Sequence, residues 1–598
     1  IAVLAVKLNK KDVVRIADVL DVSSYIDESG VLSWKPQTGI WKIIRYGHTP
    51  TGVMPHPVDS YANGLECDKM SREAMEVHFN NYVEKIIKSA GNQINAIKSV
   101  VLDSYEAGAQ TWTSGFREKF IDKRGYDPLF WLPGFGKGET RKSGNSSSDW
   151  IEPMGSLVVE SEDLSARFRS DYLQTIEDLV LEGNILALSS LTKNHTGIKF
   201  CLQPYNAPYN FVSGGMIADY VSGEFWHNKS DYGWWTLPLA ASVAHLAGTP
   251  VVSAEAFTAT PLSANWDILP EDMKAEADLA FSKGVNSFQM HVMPHQPWSD
   301  EIFPGMISQS WGVQLNRHNP IWKKTVDWIG YITRVQSMLR EGNSVEDVVC
   351  LYPSFQKGLL QLNGYKCDAI DEKTLLNSMS ADETGLVLET GRRYKLLVLP
   401  ESKSMKPEVL KRIADLVSRG ACVLGLPPSH SPSLTNYPQC DSIVSVLVDE
   451  IWGTCEGDSK QMHRYGKGCV FSGYSVEETL QELRIYKDFE SISPNPAIVW
   501  CHRRLDETDI YFVANQSQKE QCVPLTFRVS GMMPELWDAQ KKTINIAEDW
   551  ENNGTTTTVN IDFEPLQSYF VVFRVKTSES KSERKNRCEV IATKPLSG

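Results

Sequence analysis

The sequence predicts an α/β fold. A (β/α)8, TIM-like barrel with its first strands upstream of Ile1 comes first, then a Rossmann-like α/β domain, then a C-terminal β-sandwich. Three observations predict it. Apolar runs of strand length alternate with amphipathic helical stretches from Ile1 to about residue 325. Polar residues close most of those runs. From about residue 481, strand-like runs with turn residues between them replace the helices.

The elements follow in order. "IAVLAV" (1–6) and "SVVLDS" (99–104) read as strands. Between them, residues 71–91 read as one helix: Ser71 can cap it, Met75, Phe79, Val83 and Ile86 form a stripe, and Gly91 stops it. A second helix over 167–190 precedes "GIKFCLQPY" (197–205). A third, 237–248, precedes "TPVVSAEAFT" (249–258). A fourth, 270–284, precedes "NSFQMHVM" (286–293). This βαβα rhythm is that of a parallel sheet. Two stretches interrupt it, a small β insertion at about 13–46 and a polar, mobile loop at 137–150. The barrel is expected to fill residues 1–325. The Rossmann-like domain is expected over 326–480, with strands at 345–353, 394–402 and 421–427 and a helix at 406–420. The sandwich is expected over 481–576 and a flexible tail over 577–598.

Composition narrows the function. The chain has 598 residues, too many for one core. Its net charge of −14, with no long basic block, argues against a nucleic-acid partner. No apolar run reaches the roughly 18 residues of a membrane span. The chain opens inside an apolar segment, so it reads as a fragment whose localisation signals lie outside it; a secreted or periplasmic setting is the expectation. Eleven cysteines are scattered without a CxxC pair or zinc spacing. The 17 tryptophans cluster at 224–226, 233–235, 295–298 and 308–312, beside carboxylates, His and Gln. Sugars stack C–H faces on such rings, so a carbohydrate cleft competes here with plain core filling.

The strand ends carry the chemistry. They read Asp103-Ser-Tyr-Glu106, Gln203-Pro-Tyr205, Glu255-Ala-Phe-Thr258 and His291. Polar C-terminal strand ends are where a barrel keeps its active site, and no glycine-rich phosphate loop follows any of them. Glu106 and Glu255 are a candidate pair for glycoside hydrolysis, which needs one proton donor and one base or nucleophile. The competing reading makes them caps or ion-pair partners. Asp103, three residues before Glu106, falls on the opposite face of an extended strand. Tyr105, Trp112, Gln203, Trp226, His291, His295 and Trp298 are candidate substrate contacts. Glu224, expected on an aromatic-rich loop, could meet substrate or a hard cation such as Ca²⁺.

These blocks together resemble the α-L-rhamnosidases of glycoside hydrolase family 106. The resemblance rests on "GIWKIIRYGHTPTG" (39–52), "NGLECDKMSREAMEVHF" (63–79), "LDSYEAGAQTWTSGFREKF" (102–120), "GYDPLFWLP" (125–133), "GEFW" (223–226), "ASVAHLAGTPVVSAEAFT" (241–258) and the stretch 295–322. It implies an inverting hydrolase of terminal α-L-rhamnose on plant or microbial glycans. Glu106 would be the general acid, Glu255 the general base, and Ca²⁺ would sit near the sugar hydroxyls. Asp103 and Glu224 are the metal candidates, with His291 in the same shell. Three departures bear on the leaving group: "AQTWT" at 109–113, a longer 137–160 region, and Gln203 where a carboxylate could stand. A catalytically silent carbohydrate-binding barrel and a retaining, β-galactosidase-like glycosidase stay open. So does an adhesion role for the later domains.

Overall fold

The computed structural model describes residues 1–9, 13–55, 63–106, 108, 110–135, 154–228, 232–263, 266–307, 311–353, 358–453, 459–491 and 497–577. The loop expected at 137–150 lies outside them, as does the expected tail beyond Thr577. The chain forms two compact units. One is Ile1–Asp219 with Glu401–Asp415 and Leu426–Gly457; the other is Tyr220–Pro400 with Leu416–Gly425 and Asp458–Gly598.

In the first unit, β1 (Ala2–Leu8) is the centre of an antiparallel sheet with β2 (Val19–Asp21) and β3 (Ile40–Tyr46) on its two sides. This corrects the expectation that "IAVLAV" is a strand of the parallel sheet. Ala2, Leu4 and Val6 enter the main core, while Val3 and Ala5 pack with Trp34 and Trp41. Burial on both faces makes an antiparallel strand as uniformly apolar as a parallel one. The single helix expected over 71–91 is two, α1 (Arg72–Asn81) and α2 (Val83–Ala90). Ser71 does cap α1, its hydroxyl accepting from the Ala74 amide at 3.1 Å. At Tyr82 the backbone leaves helical dihedrals (φ −122°, ψ −75°). The break rotates the stripe, so Ile87 is buried and Ile86 is exposed.

β4 (Ser99–Leu102) pairs parallel with β5 (Lys199–Leu202), Val101 opposite Cys201. The crossover includes α3 (Glu162–Val180), which buries Phe168, Tyr172 and Ile176 against Phe116, Phe120 and Phe135. Val101 is 56% exposed, although the apolar run had suggested full burial.

The second unit begins with β6 (Tyr220–Trp226), α4 (Leu237–Ala247), β7 (Ser253–Thr258), α5 (Pro270–Ser282) and β8 (Ser287–Met290). β7 pairs parallel with both β6 and β8. Here the βαβα rhythm holds. α4 is buried nearly all round, which explains its lack of a polar face.

Next come β9 (Val348–Leu351), β10 (Cys367–Ile370), β11 (Leu396–Val398), β12 (Cys422–Leu424), β13 (Gln461–Tyr465) and β14 (Gly468–Ser472). They form one sheet in the order β10-β9-β11-β12-β14-β13, parallel except for β13. The C-terminal strands make a six-stranded and a four-stranded antiparallel sheet around a core that includes Tyr511, Leu525, Val559 and Phe573.

Candidate active site

In the first unit, β4 and β5 end side by side and their ends are laced together. The Gln203 amide nitrogen of the backbone donates to Leu102 O at 3.0 Å, and Tyr105 N donates to Tyr205 O at 3.3 Å. Gln203 is 4% exposed. Its side-chain oxygen accepts from Ser104 N at 3.0 Å and from the Tyr205 hydroxyl at 2.8 Å. A neutral amide does this bracing without the cost of burying a charge. Asp103 is exposed, and its carboxylate accepts from Ser104 N at 3.0 Å. Glu106 is exposed too, with the Ser104 hydroxyl 3.4 Å from its carboxylate. Tyr105 points inward. It is 6% exposed, and burial, aided by Glu66 and Asp68, pushes its phenol well above the ordinary range. Trp112 packs on Phe116, ring centroids 4.8 Å apart, at the edge of the main core.

Sequence reasoning passed over the neighbours that fix this end. Gln110 accepts from Lys69 N at 2.8 Å and donates to Cys67 O at 3.1 Å. Thr113 donates to Asp68 at 2.5 Å, and Lys69 pairs with Glu66 at 2.8 Å. Two acids stand close together in "LECDK", but nothing local in the sequence says what they face.

In the second unit, Glu224 lies in β6 rather than on a loop. The run "YVSGEFW" hides a strand because Ser222 and Gly223 interrupt its apolar signal, yet both are buried. Parallel pairing sets Glu224 opposite Glu255, and Glu255 opposite Gln289. Residues in register on adjacent strands project from the same face, about 4.8 Å apart at the backbone. Two carboxylates and an amide therefore share one tier of the sheet. Glu224 is 8% exposed; its backbone N–H donates to the Thr236 hydroxyl at 2.8 Å, and the Trp226 indole N–H donates to its carboxylate. Gly233 is required behind it, for a Cβ there would stand 2.6 Å from Glu224 O. Trp226 packs edge-on against Tyr232 and Trp311, at 4.5 and 5.8 Å.

Glu255 is half-buried and accepts from the Thr258 hydroxyl. Thr258 is held in turn by its backbone, its O accepting from His227 N at 2.8 Å. His227 Nδ1 lies 2.9 Å from the Glu276 carboxylate. His291 follows β8, its amide donating to Ala256 O at 2.9 Å; it is half-buried, and its Nδ1 is buried with no hydrogen-bond partner among the described residues. His295 and Trp298 lie farther along the chain, both exposed. Their segment is braced. Gln296 donates to Met306 O at 2.6 Å and accepts from Met306 N at 3.1 Å, while Arg317 pairs with Asp300 at 2.6 Å and donates to Trp298 O at 2.8 Å.

Each unit thus gathers part of the expected constellation. Asp103, Tyr105, Glu106 and Gln203 meet at one pair of strand ends. Glu224, Trp226 and Glu255 meet at the other, with His291 after the adjoining strand. The carboxylates of Asp103 and Glu224 offer the hard oxygen atoms that Ca²⁺ takes. Among the described residues, the trio of His, Cys, Asp and Glu ligand atoms within 4.8 Å of one another is a different one, His245, Glu346 and Asp368. Arg392 already supplies the cation there: it pairs with Glu346 and lies 3.1 Å from Asp368. Burial pushes the Asp368 carboxyl up to about 7 and His245 well below its ordinary value.

At the level of fold, the chain resembles solved glycosidase structures. The β-galactosidase of Halorubrum lacusprofundi superposes with a TM-score of 0.54 at 12% identity, over 88% of this chain and 85% of that one. A rhamnosidase from Novosphingobium sp. PP1Y superposes with a TM-score of 0.80 at 26% identity, over 97% of this chain and 55% of that one. A Formosa agariphila protein bearing the name "Putative beta-glucuronidase" is 32% identical over 581 residues, 96% of this chain and 46% of that protein. The chain therefore spans about half the length of these last two. It belongs to glycoside hydrolase family 106, the α-L-rhamnosidases, whose family model matches residues 2–548.

Proposed function

We propose that this protein is a glycosidase that removes terminal α-L-rhamnose from a glycan or glycoside by an inverting, single-displacement reaction. Family membership across residues 2–548 is the observation that carries the reading. Glu106, exposed after β4, donates its proton to the glycosidic oxygen as that bond breaks. Glu255, oriented by the Thr258 hydroxyl, takes a proton from the water that attacks the anomeric carbon from the opposite face. The products are β-L-rhamnose and the free alcohol. Trp226 and Trp298 supply ring faces for sugar stacking, and His291 is a candidate hydroxyl contact. Ca²⁺, when bound, would hold sugar hydroxyls through oxygen ligands, Glu224 in the second unit and Asp103 in the first; no proton-transfer step depends on it. The closed (β/α)8 barrel and the division at about 325 and 480 belong to the same proposal.

Hydrolysis of an aryl α-L-rhamnoside followed by proton NMR tests it. β-L-rhamnose as the first product supports inversion, and α-L-rhamnose first replaces it with a retaining mechanism. Hydrolysis of an aryl β-glucuronide alone would favour the chemistry in the relative's name. Binding without hydrolysis would leave a silent carbohydrate-binding protein. Loss of turnover on chelation, restored by Ca²⁺, supports the metal.

A further inference from the structure

The parallel sheet of the second unit carries four cysteines, and their registers differ in a way that has a chemical consequence. Cys422 on β12 stands directly opposite Cys469 on β14. Their sulfurs share a thiol hydrogen bond 3.4 Å long. Cys350 on β9 and Cys367 on β10 also neighbour each other, but Cys367 is opposite Val348 and Cys350 is opposite Ala369. That pair is staggered by two residues. Directly opposed residues on adjacent strands are about 4.8 Å apart at Cα. A disulfide spans about 4.4–6.8 Å and cannot bridge Cα atoms more than about 7 Å apart. The Cys350 and Cys367 side chains also share a hydrogen bond, but register sets only Cys422 and Cys469 directly opposite, within the Cα span of a disulfide, and leaves Cys350 and Cys367 as diagonal partners.

We propose that Cys422 and Cys469 are a dithiol that closes to a reversible disulfide with a small disulfide oxidant. This goes beyond the glycosidase reading and does not depend on it. Cys469 is 7% exposed and Cys422 half-buried, so the pair meets solvent through Cys422. With oxidised glutathione, the thiolate of Cys422, the more accessible sulfur, attacks one sulfur and expels a glutathione thiolate. The Cys469 thiolate then attacks the Cys422 sulfur and expels the second. One S–S bond breaks and one forms; two electrons pass to glutathione, and the two cysteine protons end on its two thiols. The bond closes a long loop. Between the two cysteines the chain contributes Leu426–Gly457 to the first unit, where Asp441 pairs with Arg167 at 2.8 Å and Leu434 N donates to Asp171 at 2.9 Å. A cross-link at the base of that excursion removes conformational freedom from the unfolded chain.

The test treats the folded protein with oxidised glutathione, alkylates free thiols, and maps peptides without reduction. One linked pair is expected, Cys422 with Cys469, lighter than the two thiol peptides by two hydrogen atoms. Exposed Cys522 reports that both reagents reached the protein. Cys422→Ser and Cys469→Ser should each abolish the link, and Cys350→Ser should leave it. The oxidised protein should unfold a few degrees higher than the reduced protein, a rise absent in Cys469→Ser. Quantitative alkylation of Cys422 and Cys469 after oxidation overturns the proposal, as does a Cys350–Cys367 link in its place.

Discussion

Two regions of the second unit hold carboxylates in different surroundings. Within β6 and β7, Glu224 and Glu255 receive an indole N–H and a threonine hydroxyl, and Glu255 stays half-open to water. In the sandwich, His502 is buried between Asp488 and Asp509, 2.9 Å from each. Arg528 lies 3.3 Å from Asp488, Arg504 lies 2.6 Å from Asp509, and the Tyr511 ring stacks on His502 at 3.8 Å. Burial alone would lower His502, yet the two aspartates raise it. Burial alone would raise Asp488 and Asp509, yet their cationic partners lower both. The difference teaches how to separate acids that work from acids that hold. A holding acid is matched by cations until its charge is fixed. The acid we propose to act, Glu255, keeps access to water and a proton, with the Thr258 hydroxyl on its carboxylate.

Five measurements break or sharpen that contrast. The largest effect is expected for Glu255→Gln and Glu106→Gln. Each should lower kcat for aryl α-L-rhamnoside hydrolysis by about 10²–10⁴-fold with the circular dichroism spectrum unchanged. Full activity in either variant would move that residue into the holding class. His502→Ala should do the reverse. It leaves two buried carboxylates short of a cation and costs about 3–5 kcal/mol in urea unfolding, while kcat per folded molecule stays the same.

The same network gives stability a pH window. Folded His502 sits above its ordinary 6.5, so its contribution is complete below 6.5 and is lost as pH rises through the folded value. Asp488 and Asp509 sit below their ordinary 3.8, so theirs is complete above 3.8 and is lost as pH falls through the folded values. Unfolding midpoints should fall at both ends, and His502→Gln should flatten the alkaline fall. Thr258→Val removes the hydroxyl that aims Glu255, and about tenfold lower kcat is expected, near the roughly 1.5–3 kcal/mol of a hydrogen bond to a charged group. Smallest is Trp298→Ala. A 45% exposed ring on a braced segment should raise KM a few-fold, with kcat and stability unmoved.

Much of this was legible in the chain. The polar closings of "SVVLDS" and "TPVVSAEAFT" drew attention to Glu106 and Glu255; the structure sets Glu106 four residues past β4 and Glu255 within β7, three residues before its end. Ser71 announced the start of α1. Other features were not. "IAVLAV" carried no mark of its antiparallel partners, because full burial erases the alternation that would have revealed them. The break at Tyr82 came without Pro or Gly to signal it. Glu224 was read as a loop residue, because a strand containing Gly and Ser lacks the apolar run that a window of sequence detects.

By itself the sequence determined roughly where strands run, since hydrophobic periodicity and its interruption are properties of neighbours along the chain; their exact ends, as at Glu224 and Glu255, it did not. It also determined the chemistry on offer: carboxylates, indoles and a family pattern spanning most of the chain. Only tertiary structure decided register. Glu224 stands beside Glu255, and Cys422 beside Cys469, through pairings between residues 31 and 47 positions apart. A slip of one residue would turn either side chain to the other face of its sheet. That choice is made by packing across the whole unit, where no local pattern can record it.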